Sequence, residues 1–294
     1  MNKDLLSKIM AWEGYLYLLP AILIMVIFII YPFVQTIILS LHQTNVKGLM
    51  IHFKGLGNYI DLFSNPVFYH SIMITVVFVV ITVCVGVFIG LTSALLCQKD
   101  FPGIRVFSAT YAMPMAIASS GIALIFQIML NQTNGIINML SGAHIGWLTT
   151  PTYALLCVSF ITGWLNSGVN FLYFCAGLAS IDNSLYESAS IDGADSIRKF
   201  LYITLPNLRP ITFFVIVTNI IQAFQAFGQI KILTMGGPGE ATNVLVYDIY
   251  KNAFITFRYG YASAESVTLF IIVMILTFAI FRLRAKGGQQ HEKN

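Results

Sequence analysis

The composition of this chain excludes an ordinary soluble domain, because 57% of its 294 residues are hydrophobic and only 10% are charged. A soluble surface needs about 25% charged residues, so this composition and a mean hydropathy of +0.79 indicate that lipid is the main solvent. The net charge of +4 is therefore informative about orientation in a membrane rather than about nucleic acid.

The first third of the chain predicts two membrane spans joined by a polar loop. Residues 15–41 form an apolar stretch too long for the core of a secretory signal, so we expect a retained first helix with a kink near Pro32. Residues 46–69 are mixed and polar, which predicts a loop outside the bilayer. Residues 71–98 carry no charge and predict a second span, since about 20 residues cross a hydrocarbon core of about 30 Å.

A stretch without Asp, Glu, Lys or Arg extends from residue 106 to residue 181, which is too long for one helix. Turn-forming residues from Asn131 to Gly135, and a region with Gly, Ser and His that follows them up to Pro151, divide this stretch. We therefore expect span three at residues 106–130 and span four at residues 152–178.

Two further apolar runs follow a charged insert and predict span five at residues 211–230 and a somewhat short span six at residues 262–281. The sequence thus predicts an all-α integral membrane protein with six transmembrane helices. Its predicted parts are an N-terminus at residues 1–14, a transmembrane domain at residues 15–284 that includes a polar insert at residues 182–206, and a tail at residues 285–294.

Lysine and arginine are distributed unequally between the two sides of this six-span chain. Eleven of the sixteen fall on the side that holds both termini and the polar insert. The positive-inside rule therefore predicts that the termini and the insert are cytoplasmic.

Local chemistry predicts that the polar insert forms two short helices. Ser184 with Glu187 three residues later is the pattern of a capping box, in which the two side chains satisfy backbone N–H groups at a helix start. Gly193 can take the left-handed conformation that ends this helix. Asp195 can then cap a second helix, although Ser196 is an alternative, and we expect Pro206 to stop it.

Small residues beside an apolar edge on this helix pair suit docking into a groove of another protein. An amphipathic loop at the membrane surface is an equally weighted alternative from physics alone. The insert resembles the EAA loop of permease subunits of binding-protein-dependent ABC importers. That pattern is EAA, three residues, G, nine residues, I-x-L-P. This chain departs from it only at the second position, where it has Ser188 instead of alanine.

The resemblance extends over most of the chain and favours the carbohydrate-uptake branch, similar to the maltose permease F and glycerol-3-phosphate permease A components. Three short motifs carry it in addition to the insert: Phe53-x-Gly55-Leu56-x-Asn58-Tyr59, Gly236-Gly237-Pro238 and Tyr259-Gly260-Tyr261-Ala262-Ser263-Ala264. The resemblance implies the type I permease fold of ABC importers, in the plasma (inner) membrane of a bacterium.

In that family the EAA helices sit in a cleft of a cytoplasmic ATPase and convert its closure on ATP into movement of the membrane helices. The residues that inherit this coupling role by position are Glu187, Ser188, Ala189, Asp192, Gly193, Ile203, Leu205 and Pro206. Because the chain has no GxxxxGK[ST] loop, ATP and Mg are expected on a separate subunit, and this chain is expected to be no enzyme.

The resemblance also implies partners and alternating access to a central cavity. The expected partners are a second homologous permease subunit in a heterodimer, two nucleotide-binding ATPase subunits, an extracytoplasmic solute-binding protein and membrane lipid, but no nucleic acid. The histidines and cysteines show no metal-ligand spacing, and no catalytic residue, metal site or bound cofactor is predicted for the chain itself.

Polar residues within the spans are candidates for the substrate path, because such residues are costly in lipid. At about 100° per residue, four amides of span five fall within an arc of about 120° on one helix. These amides are Asn219, Gln222, Gln225 and Gln229. Span four adds Asn166, Asn170 and Tyr173.

Amides and aromatic rings suit a hydroxyl-rich solute, although the same amides can hydrogen-bond between helices. The absence of Lys and Arg from the middle of the spans argues for a neutral sugar, whereas the C-terminal part resembles the glycerol-3-phosphate type. Both solute classes stay open.

A secondary transporter is the alternative function, for which intramembrane acidic residues or an internal repeat would be expected; neither is evident. An integral membrane enzyme would need a cluster of His or carboxylates, which is also absent.

Overall fold

A computed structural model describes residues 17–98 and 102–291 of the chain. Within these ranges the backbone is mostly helical and contains one pair of short strands. The predicted N-terminal segment, residues 1–14, lies outside the described residues, as do the last three residues of the predicted tail.

The helices and strands follow one another along the described chain and pack as two units. The first part contains α1 (Tyr17–Ser40), β1 (His42–Thr44), β2 (Met50–Phe53), α2 (Gly57–Phe63) and α3 (Pro66–Leu96). The middle part contains α4 (Ile104–Ala116), α5 (Ser119–Met129), α6 (Ile136–Ser141), α7 (Pro151–Ala179) and α8 (Asn183–Ile191). The last part contains α9 (Ser196–Asn207), α10 (Arg209–Phe224), α11 (Gly228–Leu233), α12 (Leu245–Tyr250) and α13 (Tyr259–His291). One unit consists of residues 17–65 and 249–271, the other of residues 66–248 and 272–291.

Four of the described helices are long and apolar enough to cross a membrane, namely α1, α3, α7 and the part of α13 up to Arg282. The helices α9 and α10 meet at a bend of 65° and make a fifth candidate if they are counted as one span. The turn Val26–Ile30 of α1 is π-helical and ends just before Pro32, the residue at which the sequence predicts a kink.

The predictions for spans three and five are wrong in one respect, because neither is a single continuous helix. Span three divides into α4 and α5 at Ala118, whose backbone is extended with ψ of 130°. Pro114 before this break and Gly121 after it both weaken a helix. Span five ends at Phe224, and the chain resumes as α11 only at Gly228. Span six is longer than predicted, because α13 is continuous from its start to its end.

The first unit is held together by polar contacts at the end of α1. Asn58 of α2 donates hydrogen bonds from Nδ2 to the backbone oxygens of Ser40 (2.8 Å) and His42 (3.0 Å). The hydroxyl groups of Ser40 and Tyr59 lie 2.8 Å apart. The Asn-Tyr pair of the first short motif therefore has a structural role, which is to fix α2 and the antiparallel strand pair at the end of α1.

The centre of the second unit is the contact between α3 and α7, where glycines bring the two backbones close together. A Cβ atom on Gly90 would lie 2.6 Å from Cβ of Asn170, and one on Gly163 would lie 2.7 Å from the backbone oxygen of Thr82. Small residues at helix contacts permit this close packing in membranes. Helix α7 is consequently fixed over much of its length.

Candidate functional site

The polar insert begins with α8, whose N-terminus is capped by Asp182. The carboxylate of Asp182 accepts a hydrogen bond from the backbone N–H of Ser184 at 2.9 Å, and this bond holds the pKa of Asp182 below its usual value. The predicted capping box is therefore wrong. Ser184 lies within the helix, because a carboxylate two residues earlier is the stronger acceptor at the positive end of the helix.

The turn between α8 and α9 has the predicted local structure. Gly193 has φ of +74°, in the left-handed region, and the carboxylate of Asp195 accepts a hydrogen bond from the N–H of Arg198 at 2.8 Å. The prediction that Pro206 stops the second helix is wrong, because α9 continues to Asn207 before the chain bends. The π-helical turn Phe200–Thr204 immediately before accommodates a proline that has no N–H to donate.

Two side-chain hydrogen bonds hold the insert together. The hydroxyl groups of Tyr186 on α8 and Thr204 on α9 lie 2.9 Å apart, and Nζ of Lys199 donates to Oγ of Ser190 at 2.6 Å. Tyr186 also packs against the buried cluster that contains Phe174 of α7. The insert is thus attached to the buried cluster at the end of α7.

Most of the predicted coupling residues are accessible on the surface of the insert. Ala189, Ile203 and Pro206 are half-buried, whereas Glu187, Ser188, Asp192, Gly193 and Leu205 are exposed. Two apolar side chains that the motif does not include, Ile191 and Ile197, are 88% and 69% exposed. These two aliphatic side chains are accessible to a partner surface.

Two of the predicted path residues, Asn170 and Asn219, lie in a helix contact. Nδ2 of Asn170 donates to Oδ1 of Asn219 at 3.1 Å, and Nδ2 of Asn219 donates back to Oδ1 of Asn170 at 2.7 Å. Both side chains are buried, and Nδ2 of Asn219 also donates to the backbone oxygen of Val215 at 2.8 Å. This geometry is that of interhelical hydrogen bonding between α7 and α10.

The predicted stripe of amides along one helix face does not form. Gln222 lies on α10, but Gln225 ends that helix and Gln229 belongs to α11, so the regular advance of 100° per residue is lost between them. Gln222 and Gln225 are exposed, whereas Gln229 is buried.

The polar residues of α7 also differ in their surroundings. Asn166 is half-buried, and the ring of Tyr173 stands edge-on to the ring of Phe214 with centroids 5.1 Å apart. The polar side chains predicted for the substrate path therefore fall into a buried hydrogen-bonded pair, the buried Gln229 and four more accessible groups.

A buried carboxylate corrects the expectation that no acidic residue is evident within the spans. Glu265 of α13 is fully buried, and its Oε2 accepts a hydrogen bond from Nδ2 of Asn252 at 3.0 Å. The sequence signal was available, because Glu265 lies inside the predicted sixth span.

The sequence of the chain matches the family described as binding-protein-dependent transport system inner membrane component, over residues 86–286. The chain belongs to this family. It is therefore a multi-pass inner membrane permease subunit of a binding-protein-dependent ABC importer, and subunits of this kind lack the nucleotide-binding ATPase domain. A secondary transporter is thereby set aside.

Individual members with similar sequences match almost the whole chain. The chain is 36% identical over 276 residues to the sn-glycerol-3-phosphate transport system permease protein UgpA of Agrobacterium fabrum, which covers 92% of this chain and 94% of that relative. It is 34% identical over 287 residues to the probable ABC transporter permease protein YurN of Bacillus subtilis, with coverage of 94% and 97%.

The fold is similar to that of a subunit in a bacterial ABC transporter involved in the import of the acidic polysaccharide alginate. The TM-score is 0.82 at 22% identity, and the match covers 97% of this chain and 99% of the other. A second structure contains the alginate transporter with its alginate pentasaccharide-bound periplasmic protein, and it matches with a TM-score of 0.80 at 22% identity, covering 92% of each chain.

Proposed function

We propose that this chain forms half of the translocation pathway of its importer, beside a second homologous permease subunit, and that residues 182–206 couple it to the ATPase subunits. The observation that supports this role is the attachment of an exposed helix pair to the core. Ile191 and Ile197 are accessible for docking, while the contact of Tyr186 with Thr204 joins the pair at its base. ATP-driven closure of two ATPase subunits would then displace α8 and α9 and switch the access of the pathway.

The proposed topology has six spans, with both termini and the insert in the cytoplasm. The six spans are α1, α3, the broken helix α4–α5, α7, the broken helix α10–α11 and α13. Broken helices within a membrane are accommodated where the irregular backbone is covered by protein or lines a cavity. The breaks after α4 and α10 are therefore consistent with positions near the pathway.

The proposed solute is a sugar or a compound similar to glycerol-3-phosphate. The relatives named for sn-glycerol-3-phosphate transport support the second class, and the exposed amides Gln222 and Gln225 suit either. Identification of the solute bound by the solute-binding protein encoded beside this gene would decide between them.

The coupling role is tested by Glu187→Lys in the importer reconstituted with its ATPase subunits and binding protein. Glu187 is exposed on α8, so the charge reversal should leave the fold intact while it disturbs the docking surface. We expect stimulation of ATP hydrolysis by the solute-loaded binding protein to fall about tenfold, as the loss of one charge-assisted contact of about 1.4 kcal/mol would require.

The matched control is Lys47→Glu, a charge reversal at an exposed residue in the turn between β1 and β2, on the opposite side of the proposed topology. This variant should keep normal stimulation. Normal stimulation in Glu187→Lys, with an intact complex on size-exclusion chromatography, would show that the insert is not the coupling element.

A further inference from the structure

A polar cavity lies apart from the amides of α7 and α10, at the ends of α5 and α11. The loop after α5, the loop before α7 and the end of α11 enclose about 330 Å³. Small-molecule sites usually enclose roughly 300–1,000 Å³, so the cavity is large enough for one small ligand. Its polar wall is formed by Gln127, Asn131, Gln132, Thr133 and Thr149, and Trp147 adds an aromatic ring.

Each amide of this wall is held in place at one end. Oδ1 of Asn131 accepts hydrogen bonds from the N–H groups of Thr133 (3.0 Å) and Asn134 (3.1 Å). Nε2 of Gln127 donates to the backbone oxygen of Ile232 at 2.8 Å. The two side chains are therefore oriented before any ligand binds, which lowers the entropic cost of binding.

The opposite ends of these amides remain available. Within residues 17–98 and 102–291, no hydrogen-bond partner is found for Oε1 of Gln127 or for Nδ2 of Asn131. Nε2 of Gln132 is likewise available, because among the described residues this amide has a partner only at Oε1, the hydroxyl group of Thr149 at 3.2 Å. One acceptor and two amide donors thus belong to side chains that line one cavity.

Trp147 is fixed so that it offers an apolar surface. Its Nε1 donates to Oδ1 of Asn138 at 2.8 Å, and Nδ2 of Asn138 in turn donates to the backbone oxygens of Gln132 (3.0 Å) and Ile145 (2.8 Å). The polar edge of the indole is therefore satisfied. A fixed aromatic face beside amides suits a ring that carries both C–H and O–H groups.

The described residues that line the cavity include no Asp, Glu, Lys, Arg or His. An anion that entered would lose hydration without gaining an ionic partner, which is costly, whereas a neutral polyol would exchange water for amide hydrogen bonds. The charge of the cavity therefore favours a neutral ligand over a phosphate ester.

We propose that this cavity is a binding subsite for a neutral, hydroxyl-rich ring of the transported solute. This inference rests on the proposed function, which places the loops of the cavity on the extracytoplasmic side, where solute leaves the binding protein. The subsite is distinct from the amides of α7 and α10, and it narrows the proposed solute class to a sugar.

The test uses the full chain in lipid nanodiscs and ligand-observed saturation-transfer NMR, with maltose and sn-glycerol-3-phosphate as probes at millimolar concentration. We expect saturable transfer to maltose and none to sn-glycerol-3-phosphate. The double variant Gln132→Leu/Thr149→Val removes both partners of one hydrogen bond and leaves no orphaned group, so it should fold. It should weaken maltose binding about tenfold, since about 1.4 kcal/mol of polar contact is lost.

The control is Asn134→Leu, an exposed residue of the same loop that does not line the cavity, and it should bind maltose normally. Absence of maltose binding to the wild-type chain, a preference for sn-glycerol-3-phosphate, or unchanged maltose binding in the double variant would each overturn the proposal. None of these results would alter ATPase stimulation in the Glu187 experiment, so failure of the subsite and failure of the coupling role are distinguishable.

Discussion

The amides of Asn170 and Asn219 act as a closed pair between two helices. In membranes such a contact stabilises a protein by only about 0.6 kcal/mol on average, whereas a buried amide without a partner costs about 1–3 kcal/mol. The pair therefore does more to prevent α7 and α10 from separating or sliding than to raise the stability of the fold. Gly86 contributes to this fit, because a Cβ atom there would lie 3.2 Å from Nδ2 of Asn170.

The difference between the small gain from the hydrogen bond and the larger cost of an unpaired buried amide predicts how substitutions at the pair combine. Asn219→Leu should lower the free energy of unfolding by about 1–3 kcal/mol, because it leaves the buried amide of Asn170 without its partner. Asn170→Leu should lower it by less, because Nδ2 of Asn219 keeps the backbone oxygen of Val215 as an acceptor. The double variant should recover most of the loss. The measurement is thermal unfolding in detergent followed by fluorescence-detected size exclusion, and a double variant that is less stable than either single variant would contradict the closed-pair interpretation.

At the scale of elements, the turn between α8 and α9 depends on one backbone conformation. Gly193 has positive φ, and no atom in the described part of the chain lies within 4 Å of an added Cβ, so a side chain there would meet conformational strain but no steric conflict with those residues. Strain of this kind costs about 1–2 kcal/mol for most residues and less for Asn.

Gly193→Ala should therefore impair coupling more than Gly193→Asn does. We expect stimulation of ATP hydrolysis by the binding protein to fall several-fold in the alanine variant, because the helix pair is no longer held at its native angle, and to stay near wild type in the asparagine variant. Equal loss in both variants would indicate that the turn contacts the ATPase directly and requires a bare backbone.

The sequence predicted those elements that depend on local chemistry. The charge-free runs around α3 and α7 identify these helices to within a few residues, and Gly193 and Asp195 follow from the chemistry of helix ends. The capping box failed because Asp182 competes with Ser184 for the same helix end. The breaks after α4 and α10 do not follow from the pattern used to find spans, because that pattern rests on runs without charge, and both breaks lie inside such runs, although Pro114 and Gly121 flank the first and glutamines flank the second.

Contacts between distant parts of the chain could not be predicted in this way. Tyr186 and Thr204 meet only because α8 and α9 fold back on each other, and Trp147 meets Asn138 only when the loop around α6 is closed. The run Asn131–Gly135 predicts only a turn, although the amides of Asn131 and Gln132 line a cavity.

At the scale of the whole molecule, the proposed topology is testable by alkaline phosphatase fusions, since the enzyme is active only outside the cytoplasm. A fusion after Gly142, behind three spans, should be active, and a fusion after Gly193, behind four spans, should be inactive. An inactive fusion at Gly142 with an active one at Gly193 would mean that the broken helix α4–α5 enters and leaves on one side.

The first helix, α1, is apolar but hardly buried. The apolar window of α1 contains no buried residue, and the helix lies outside the residues that match the family. The side chains in this window must be apolar, but they do not have to pack closely against other side chains of the same chain. Over evolutionary time Leu, Ile, Val and Phe can therefore replace one another in α1 at little cost, whereas α7, confined by glycines and a reciprocal amide pair, can accept few changes; α1 should diverge fastest among the spans.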